Sequence, residues 1–437
     1  MTALVLALVS CALTKALVFE GVSLGDICFV VAVAICLRSR RAPPQDASAR
    51  LIKTLVYSLI GWALLGALWS PVWGGAGSLE QALKSFAKLL LYSGGATVLY
   101  RHIRTLSLTC VYDAVRMVCL GTSLIALYVL VAQLSGAPER YYLFLWFGQA
   151  APLQLGDPMT LRYVSELQMA TARGNFSEPS MFAIFQCWCV ALLLTLGRQT
   201  KRTSIVVALA IVLTILSLSV SGLGLLLAIV CTVRFPAIAQ ARRWVLTAVL
   251  AGCGIVGVVG MVSPIPLKAW FQDGIWLRAV SIFEGSDNSA NGRLLGSWDV
   301  ATSVLASSPL TGSGIGNLDA SYARLSGHDL SHGLDRYRAP VHVVPFYVLA
   351  SLGVVGLFLF GWLILLLLKA DWGLGAVFVV SLFCAGTFLE PGMWVMLAAY
   401  LAAAHLARPV PAAFARPGAA RRTDRSGPLP LKPLPST

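Results

Sequence analysis

The run HVVPFYVLASLGVVGLFLFGWLILLLL, residues 342–368, contains no lysine, arginine or acidic residue. A bilayer core about 30 Å thick requires roughly 20 predominantly apolar residues in one helix, so this run predicts a membrane span. Comparable runs follow one another along a chain of 437 residues, of which 57% are hydrophobic and 12% are charged. Soluble domains carry about 25% charged residues. We therefore predict an all-α polytopic membrane protein with about twelve transmembrane helices.

The basic residues fall in short clusters between the apolar runs, at 38–41, 101–104, 198–202, 241–244 and 416–425. The gaps on the other side of each run hold acidic or balanced charge. Lysine and arginine are enriched in the cytoplasmic loops of membrane proteins, so the alternation predicts that both termini are cytoplasmic. It also accounts for the net charge of +14 without a nucleic-acid partner.

The alternation divides the chain into six segments. Two of them are long outer loops, at 132–178 and 264–341, and the stretch 266–283 in the second predicts a short amphipathic helix at the membrane interface. The ten cysteines lie in or beside apolar runs, so no disulfide or zinc framework is predicted. The other segments are helices 1–5 in 1–131, helices 6–9 in 179–263, helices 10–12 in 342–406, and a basic, disordered cytoplasmic tail in 407–437.

The stretch ARGNFSEPSMFAIF, residues 172–185, places charged and turn-forming residues before the sixth apolar run. Ser177 can cap this helix, and Pro179 is tolerated in its first turn because the missing N–H would be unpaired anyway. The pattern has two interpretations. It is a well-capped helix start, or it is an anion site in which the free N–H groups of an outward-facing helix end act together with an arginine. The candidate substrate-binding residues here are Arg173, Glu178 and Ser180.

Two lysines, Lys84 and Lys88, lie four residues apart on one face of the fourth predicted helix. Two like charges on one helix face repel each other, and charges at membrane depth usually face a cavity. We therefore favour an anion beside the two lysines, while snorkelling of both side chains to the interface is the alternative. Asp113 and Arg116, three apart on the next helix, predict a structural ion pair.

The second outer loop carries Arg278 and Arg293. The planar guanidinium pairs with phosphate through two hydrogen bonds, so both are candidate diphosphate ligands, with a solvated surface arginine as the alternative. The GxGxG pattern within 311–317 lacks a strand–helix context and predicts a flexible turn. Six apolar residues follow a helical period that predicts packing against another element: Leu294, Leu295, Trp298, Ala301, Val304 and Leu305.

His342 stands where the second outer loop enters helix 10. A lone histidine is more often structural than catalytic, but this one lies at the mouth of any cavity that the arginines face. The spacing of His342 to Gly353 and Gly356 resembles the motif of the O-antigen ligase and Wzy-type polymerase superfamily, although Val343 departs from it. The stretches 173–183 and 291–317 resemble two further motifs of this superfamily.

The resemblance implies a GT-C-like, inverting, metal-independent glycosyltransferase of the bacterial inner membrane, with its active site on the periplasmic side. Its donor would be an undecaprenyl-diphosphate-linked glycan, and no cofactor is expected. Arg173 and Arg293 would bind the diphosphate, and His342 would contact or activate the acceptor. Arginine and lysine can stabilise the departing diphosphate directly, and the first outer turn offers only Glu20 and Asp26 as metal ligands.

The acceptor stays open at this point. A polymerase transfers the glycan to another lipid-linked repeat, and a ligase transfers it to lipid A-core. Val343 and the sequence of 173–183 favour the polymerase. A lipid or glycan transporter is a third interpretation, but it requires no histidine and arginine facing the membrane, and the sequence shows no inverted repeat.

Overall fold

The computed structural model describes residues 1–13, 17–19, 22–39, 46–72, 79–134, 172, 176, 179–197, 201–217, 219–233, 292–327, 341–384 and 388–407. Within these ranges the regular secondary structure is helical apart from one short hairpin, which confirms the predicted all-α class. The predicted first loop, the helix at the interface and the basic tail fall largely outside the described residues.

The helices and the turn between them have the following bounds. They are α1 (Thr2–Ala12), α2 (Leu24–Arg38), α3 (Ala47–Val72), α4 (Leu79–Ile103), α5 (Leu108–Leu134), α6 (Pro179–Thr195), α7 (Lys201–Leu216), α8 (Val220–Thr232), a π-helical turn (Gly292–Gly296), α9 (Ser297–Ser307), α10 (Leu318–Leu325), α11 (Val344–Ala370), α12 (Trp372–Cys384) and α13 (Pro391–Leu406).

The hairpin corrects one sequence-based boundary. The first apolar run predicts a helix to about residue 19 by hydropathy, but α1 ends at Ala12. Strand β1 (Leu17–Phe19) instead pairs antiparallel with β2 (Val22–Ser23). Valine has a high β propensity and occurs in both strands, which favours the extended conformation here.

Three helices are long and apolar enough to cross a membrane: α3 over Ala47–Trp69, α5 over Leu108–Ala132, and α11 over Val344–Ala370. Shorter apolar helices of 10–17 residues are α1, α6, α8, α12 and α13. These helices agree with a membrane protein. The count of twelve spans stays a prediction, since residues 234–291, which include predicted helix 9, are not among those described.

Helix α6 forms part of the interior of the bundle. Every side chain from Phe182 to Leu193 is buried, and a helix that is apolar on all sides packs inside a large helical protein. Helices α7, α8, α12 and α5 surround it. The polar Gln186 on this helix is satisfied, because its amide donates to Thr122 Oγ1 at 2.9 Å.

Helix α11 is broken at Gly353, whose φ of 67° and ψ of −168° lie outside helical geometry. The turn that follows α9 fills the break. The Ser313 N–H donates to the Ala350 carbonyl at 2.8 Å, and the Val354 N–H donates to the Pro309 carbonyl at 3.0 Å. Trp62 Nε1 of α3 donates to the Leu352 carbonyl at 2.8 Å. The backbone groups released by the break are therefore paired within the protein, as apolar surroundings require.

The inserted turn, Ser308–Asn317, owes its close packing to glycine. Gly312, Gly314 and Gly316 all have positive φ, where L side chains are strained. A Cβ at Gly312 would lie 2.4 Å from the Ala350 carbonyl oxygen, and one at Gly316 would lie 2.6 Å from the Gln81 carbonyl oxygen of α4. The sequence predicts a flexible turn here, and the structure shows a turn that is buried from Gly312 to Ile315 and packs against both α4 and α11.

Candidate functional site

The structure brings His342 and Arg293 together through a serine. The backbone N–H of His342 donates to Ser297 Oγ at 2.9 Å, and the Ser297 hydroxyl donates to the Arg293 carbonyl oxygen. Ser297 is fully buried, whereas the His342 side chain is exposed. The backbones of the two predicted catalytic residues are therefore connected through one side chain, although Ser297 and His342 are 45 positions apart in the sequence.

Helix α9 is held on the first turns of α11 by apolar contacts. Val300, Ala301 and Val304 are buried in a small cluster with Leu349 and Ala350. The ring of Trp298 also meets Phe346 edge to face, with centroids 5.4 Å apart. This packing fixes the position of Ser297 relative to the residue that precedes α11.

The predicted apolar period of the second loop is confirmed only in part. Ala301 and Val304 are buried as predicted, but Leu294, Leu295 and Trp298 are 48%, 60% and 52% exposed. These two leucines lie in the π-helical turn, which winds more loosely than an α-helix and shifts the face that its residues present. They form an exposed apolar surface beside Arg293.

Arg293 is half-buried, and it lies within electrostatic range of Cys384, the last residue of α12. The Ser221 side chain lies within hydrogen-bonding reach of the Cys384 thiol. Ser221 belongs to the first turn of α8, whose cap Ser219 accepts a hydrogen bond from the Gly222 N–H. Arg293 therefore lies where α8 begins and α12 ends.

Ala172 and Phe176, on either side of Arg173 in the sequence, are anchored at the same end of the bundle. The Ala172 N–H donates to the Leu216 carbonyl at the end of α7, at 3.2 Å. Phe176 packs its ring against Phe182 and Phe185 of α6. Arg173 and Glu178 lie outside the described residues, as does Arg278.

Ser180 is half-buried in the first turn of α6. Three residues further on, a Cβ at Gly222 would lie only 2.6 Å from Ala183 Cβ. The first turns of α6 and α8 are therefore in direct contact. This contact places Ser180 at the end of the bundle that Arg293 reaches.

The two lysines of α4 differ in their surroundings. Lys84 Nζ pairs with Glu80 Oε1 at 2.6 Å, and both side chains are about three-quarters exposed, at 73% and 76%. Lys84 therefore has an ion-pair partner on its own helix, and the anion predicted beside the two lysines stays a prediction. Lys88 is half-buried one turn further along the helix. The predicted pair of Asp113 and Arg116 is confirmed at 3.1 Å.

Asp26 serves as a helix cap. Its carboxylate accepts hydrogen bonds from the Ser23 N–H at 2.8 Å and from the Tyr92 hydroxyl at 2.5 Å. Within the part of the chain that the structure describes, no group of three or more His, Cys, Asp or Glu side chains could hold a metal ion. Glu20 lies outside that part.

Sequence reasoning did not identify Ser297, Ser221 or Cys384. The only local signal for Ser297 is a small polar residue four positions after Arg293, on the apolar face of a predicted helix. No known protein-family model matches the chain, and no curated protein matches it. The function is therefore argued from the residues themselves.

Proposed function

We propose that this protein is a membrane glycosyltransferase that extends or transfers a glycan carried on undecaprenyl diphosphate at the periplasmic face of the bacterial inner membrane. One observation carries the proposal: Ser297 connects the backbone of the exposed His342 to that of Arg293. A base and a cation whose backbones are connected in this way suit the transfer of a sugar from a diphosphate leaving group.

The reaction makes one bond and breaks another. The oxygen of the acceptor hydroxyl bonds to the anomeric carbon while the bond from that carbon to the diphosphate breaks. The electron pair leaves with the diphosphate, whose growing negative charge Arg293 and Arg173 stabilise. His342 accepts the proton of the hydroxyl, or orients the hydroxyl by hydrogen bonding. Attack from the face opposite the diphosphate inverts the anomeric configuration.

The role of His342 is tested by transfer assays on the purified protein with an undecaprenyl-diphosphate-linked glycan. We expect His342→Ala to lower the rate by roughly 10²- to 10⁴-fold, the scale for loss of a general base. His342→Gln separates the two roles, because an amide can orient a hydroxyl but cannot accept its proton. His102→Ala, at the far end of α4, is the matched control. Full activity of His342→Ala would contradict the proposal.

We favour a polymerase, which joins one lipid-linked repeat to another. A ligase is the second candidate, because the spacing of His342 to Gly353 and Gly356 resembles that of ligase members. The glycans that accumulate when the protein is removed from its cell distinguish the two. Single repeats left on the carrier indicate a polymerase, and full-length unattached chains indicate a ligase.

A further inference from the structure

A cleft of about 350 Å³ lies between α11 and α12, and its walls are apolar side chains. The α11 wall runs from Leu357 to Leu365, which is about 12 Å of helix at ~1.5 Å per residue. The α12 wall is the last turn of that helix, from Val379 to Phe383. Four of the lining residues are aromatic: Phe358, Phe360, Trp362 and Phe383.

One end of the cleft adjoins the candidate site. Pro345 lines the cleft and lies three residues after His342. Phe383, at the end of α12, also lines it. The Phe346 ring packs against Phe383, with ring centroids 6.4 Å apart, and against Trp298, with ring centroids 5.4 Å apart. Trp298 belongs to the first turn of α9, which directly follows the π-helical turn of Arg293. This packing places the segment that carries Arg293 beside one end of the apolar cleft.

The cleft opens to the outer surface of the bundle. Phe358 and Leu365 on its rim are 60% and 52% exposed. Gly361 lies between them, and a Cβ added there would meet no atom within 4 Å. The cleft therefore includes the volume that a side chain at position 361 would occupy. This arrangement suits an amphiphile with an anionic head and a hydrocarbon chain that enters from the lipid side.

We propose that this cleft binds the first isoprene units of the donor lipid, with the diphosphate at Arg293. The identity of the lipid rests on the proposed function. The aromatic walls offer flat apolar surfaces on which the methyl branches and double bonds of an isoprenoid chain can pack. The isoprenoid chain and the diphosphate head of the lipid are then bound by different parts of the site. The cleft therefore aligns the diphosphate before an acceptor arrives.

The test uses the full chain in phosphatidylcholine nanodiscs and a benzophenone-bearing farnesyl diphosphate as the photoreactive probe. We expect the label in peptides of α11 and α12 that line the cleft, identified by mass spectrometry. Gly361→Leu should fill the cleft without touching the backbone and lower labelling about tenfold, through lost apolar contact. Gly121→Leu in α5 is the matched control, because a Cβ there also meets nothing within 4 Å.

Three outcomes would overturn the inference: labelling confined to other helices, unchanged labelling of Gly361→Leu, or competition by excess phosphatidic acid as effective as that by unlabelled farnesyl diphosphate. The last would identify a general lipid groove. Labelling requires no glycan transfer, so the two proposals fail separately. A labelled cleft in a protein without transferase activity refutes only the proposed function, and an unlabelled cleft in an active transferase refutes only this inference.

Discussion

At the scale of single residues, Ser297 is the connection on which the candidate site depends. Its hydroxyl accepts from the His342 N–H and donates to the Arg293 carbonyl oxygen while fully buried. A buried polar group left without its partner costs about 1–3 kcal/mol, and a displacement of about 1 Å in a catalytic group can cost 10²-fold in rate. The serine therefore acts as a positioning residue.

We predict that Ser297→Ala lowers glycan transfer by about 10- to 100-fold, because His342 loses its fixed position. Transfer rates of the purified variants measure this effect. Thr302→Ala on the same helix is the control, since the Thr302 hydroxyl bonds to the Trp298 carbonyl of its own helix.

A double variant shows whether Ser297 acts through the histidine. If it does, Ser297→Ala combined with His342→Ala should transfer no more slowly than His342→Ala alone, since coupled residues are not additive. Additive losses would assign Ser297 a separate role. A wild-type rate for Ser297→Ala would remove it from the mechanism.

At the scale of elements, the break in α11 separates the turns that follow His342 from the rest of the span. Gly353 permits the break through its positive φ, and the inserted turn occupies the space where a side chain would lie. The same turn leads from α9 towards α10 and contacts α4 through Gly316. Packing at Gly353 therefore sets how α9, and with it Ser297, lies on α11.

We predict that Gly353→Ala destabilises the protein by about 3 kcal/mol or more, since this backbone region is essentially restricted to glycine and the new Cβ must also displace its neighbours. That Cβ would lie 2.2 Å from the Leu310 carbonyl oxygen. Thermal unfolding in detergent measures the change, with Gly121→Ala as the control. Equal unfolding temperatures for wild type and Gly353→Ala would show that the inserted turn does not depend on this glycine.

A second prediction at this scale concerns the start of α3 and the end of α4. Arg104 binds both carboxylate oxygens of Asp46, at 3.0 and 2.7 Å. The hydrogen bonds from Arg104 hold the pKa of Asp46 below its ordinary value, with a further contribution from the Ala49 N–H. A lowered folded-state pKa means that the stabilisation is present above pH ~3.9 and is lost as the pH falls through the folded value.

We therefore expect Asp46→Asn to lower the unfolding free energy at neutral pH by about 1 kcal/mol, because the Asp46 side chain is 40% exposed and solvent weakens the pair. Unfolding measured from pH 7 down to pH 3 should show the difference shrinking below pH ~4. A difference that is the same at every pH would show that the loss arises from packing and not from charge.

At the scale of the whole molecule, the described helices place Arg293, His342 and Ser180 at one end of the bundle. Helices α8 and α12 are antiparallel, since Ser221 lies beside Cys384 and a Cβ at Gly373 would lie 2.9 Å from the Thr232 carbonyl oxygen at the other end. Arg293 lies at the end where Ser221 and Cys384 meet. Ala172 lies at the same end through its hydrogen bond to Leu216, and α6 lies there through its contact with Gly222 of α8.

We predict that this end faces the periplasm and that both termini are cytoplasmic, because the basic clusters alternate along the chain. Reporter fusions within 132–178 and 264–341 should be active only outside the cytoplasm, and fusions at 198–202 and in the C-terminal tail only inside it. A cytoplasmic signal from either long loop would place Arg173 and Arg293 on opposite sides of the membrane.

The amino-acid sequence was sufficient to predict the all-α class, a composition typical of a membrane protein, and the ion pair Asp113–Arg116. Hydropathy and helical period are properties of residues that are close together in the sequence. The sequence also identified His342 and Arg293 as candidate catalytic residues. The pair Glu80–Lys84, four residues apart on one helix, was open to the same reasoning but was not predicted. The sequence could not show that Ser297 connects His342 to Arg293, or that α11 breaks at Gly353. Those features depend on which segments meet in space. A glycine in an apolar run predicts neither a positive φ nor the distant turn that occupies the place of its side chain.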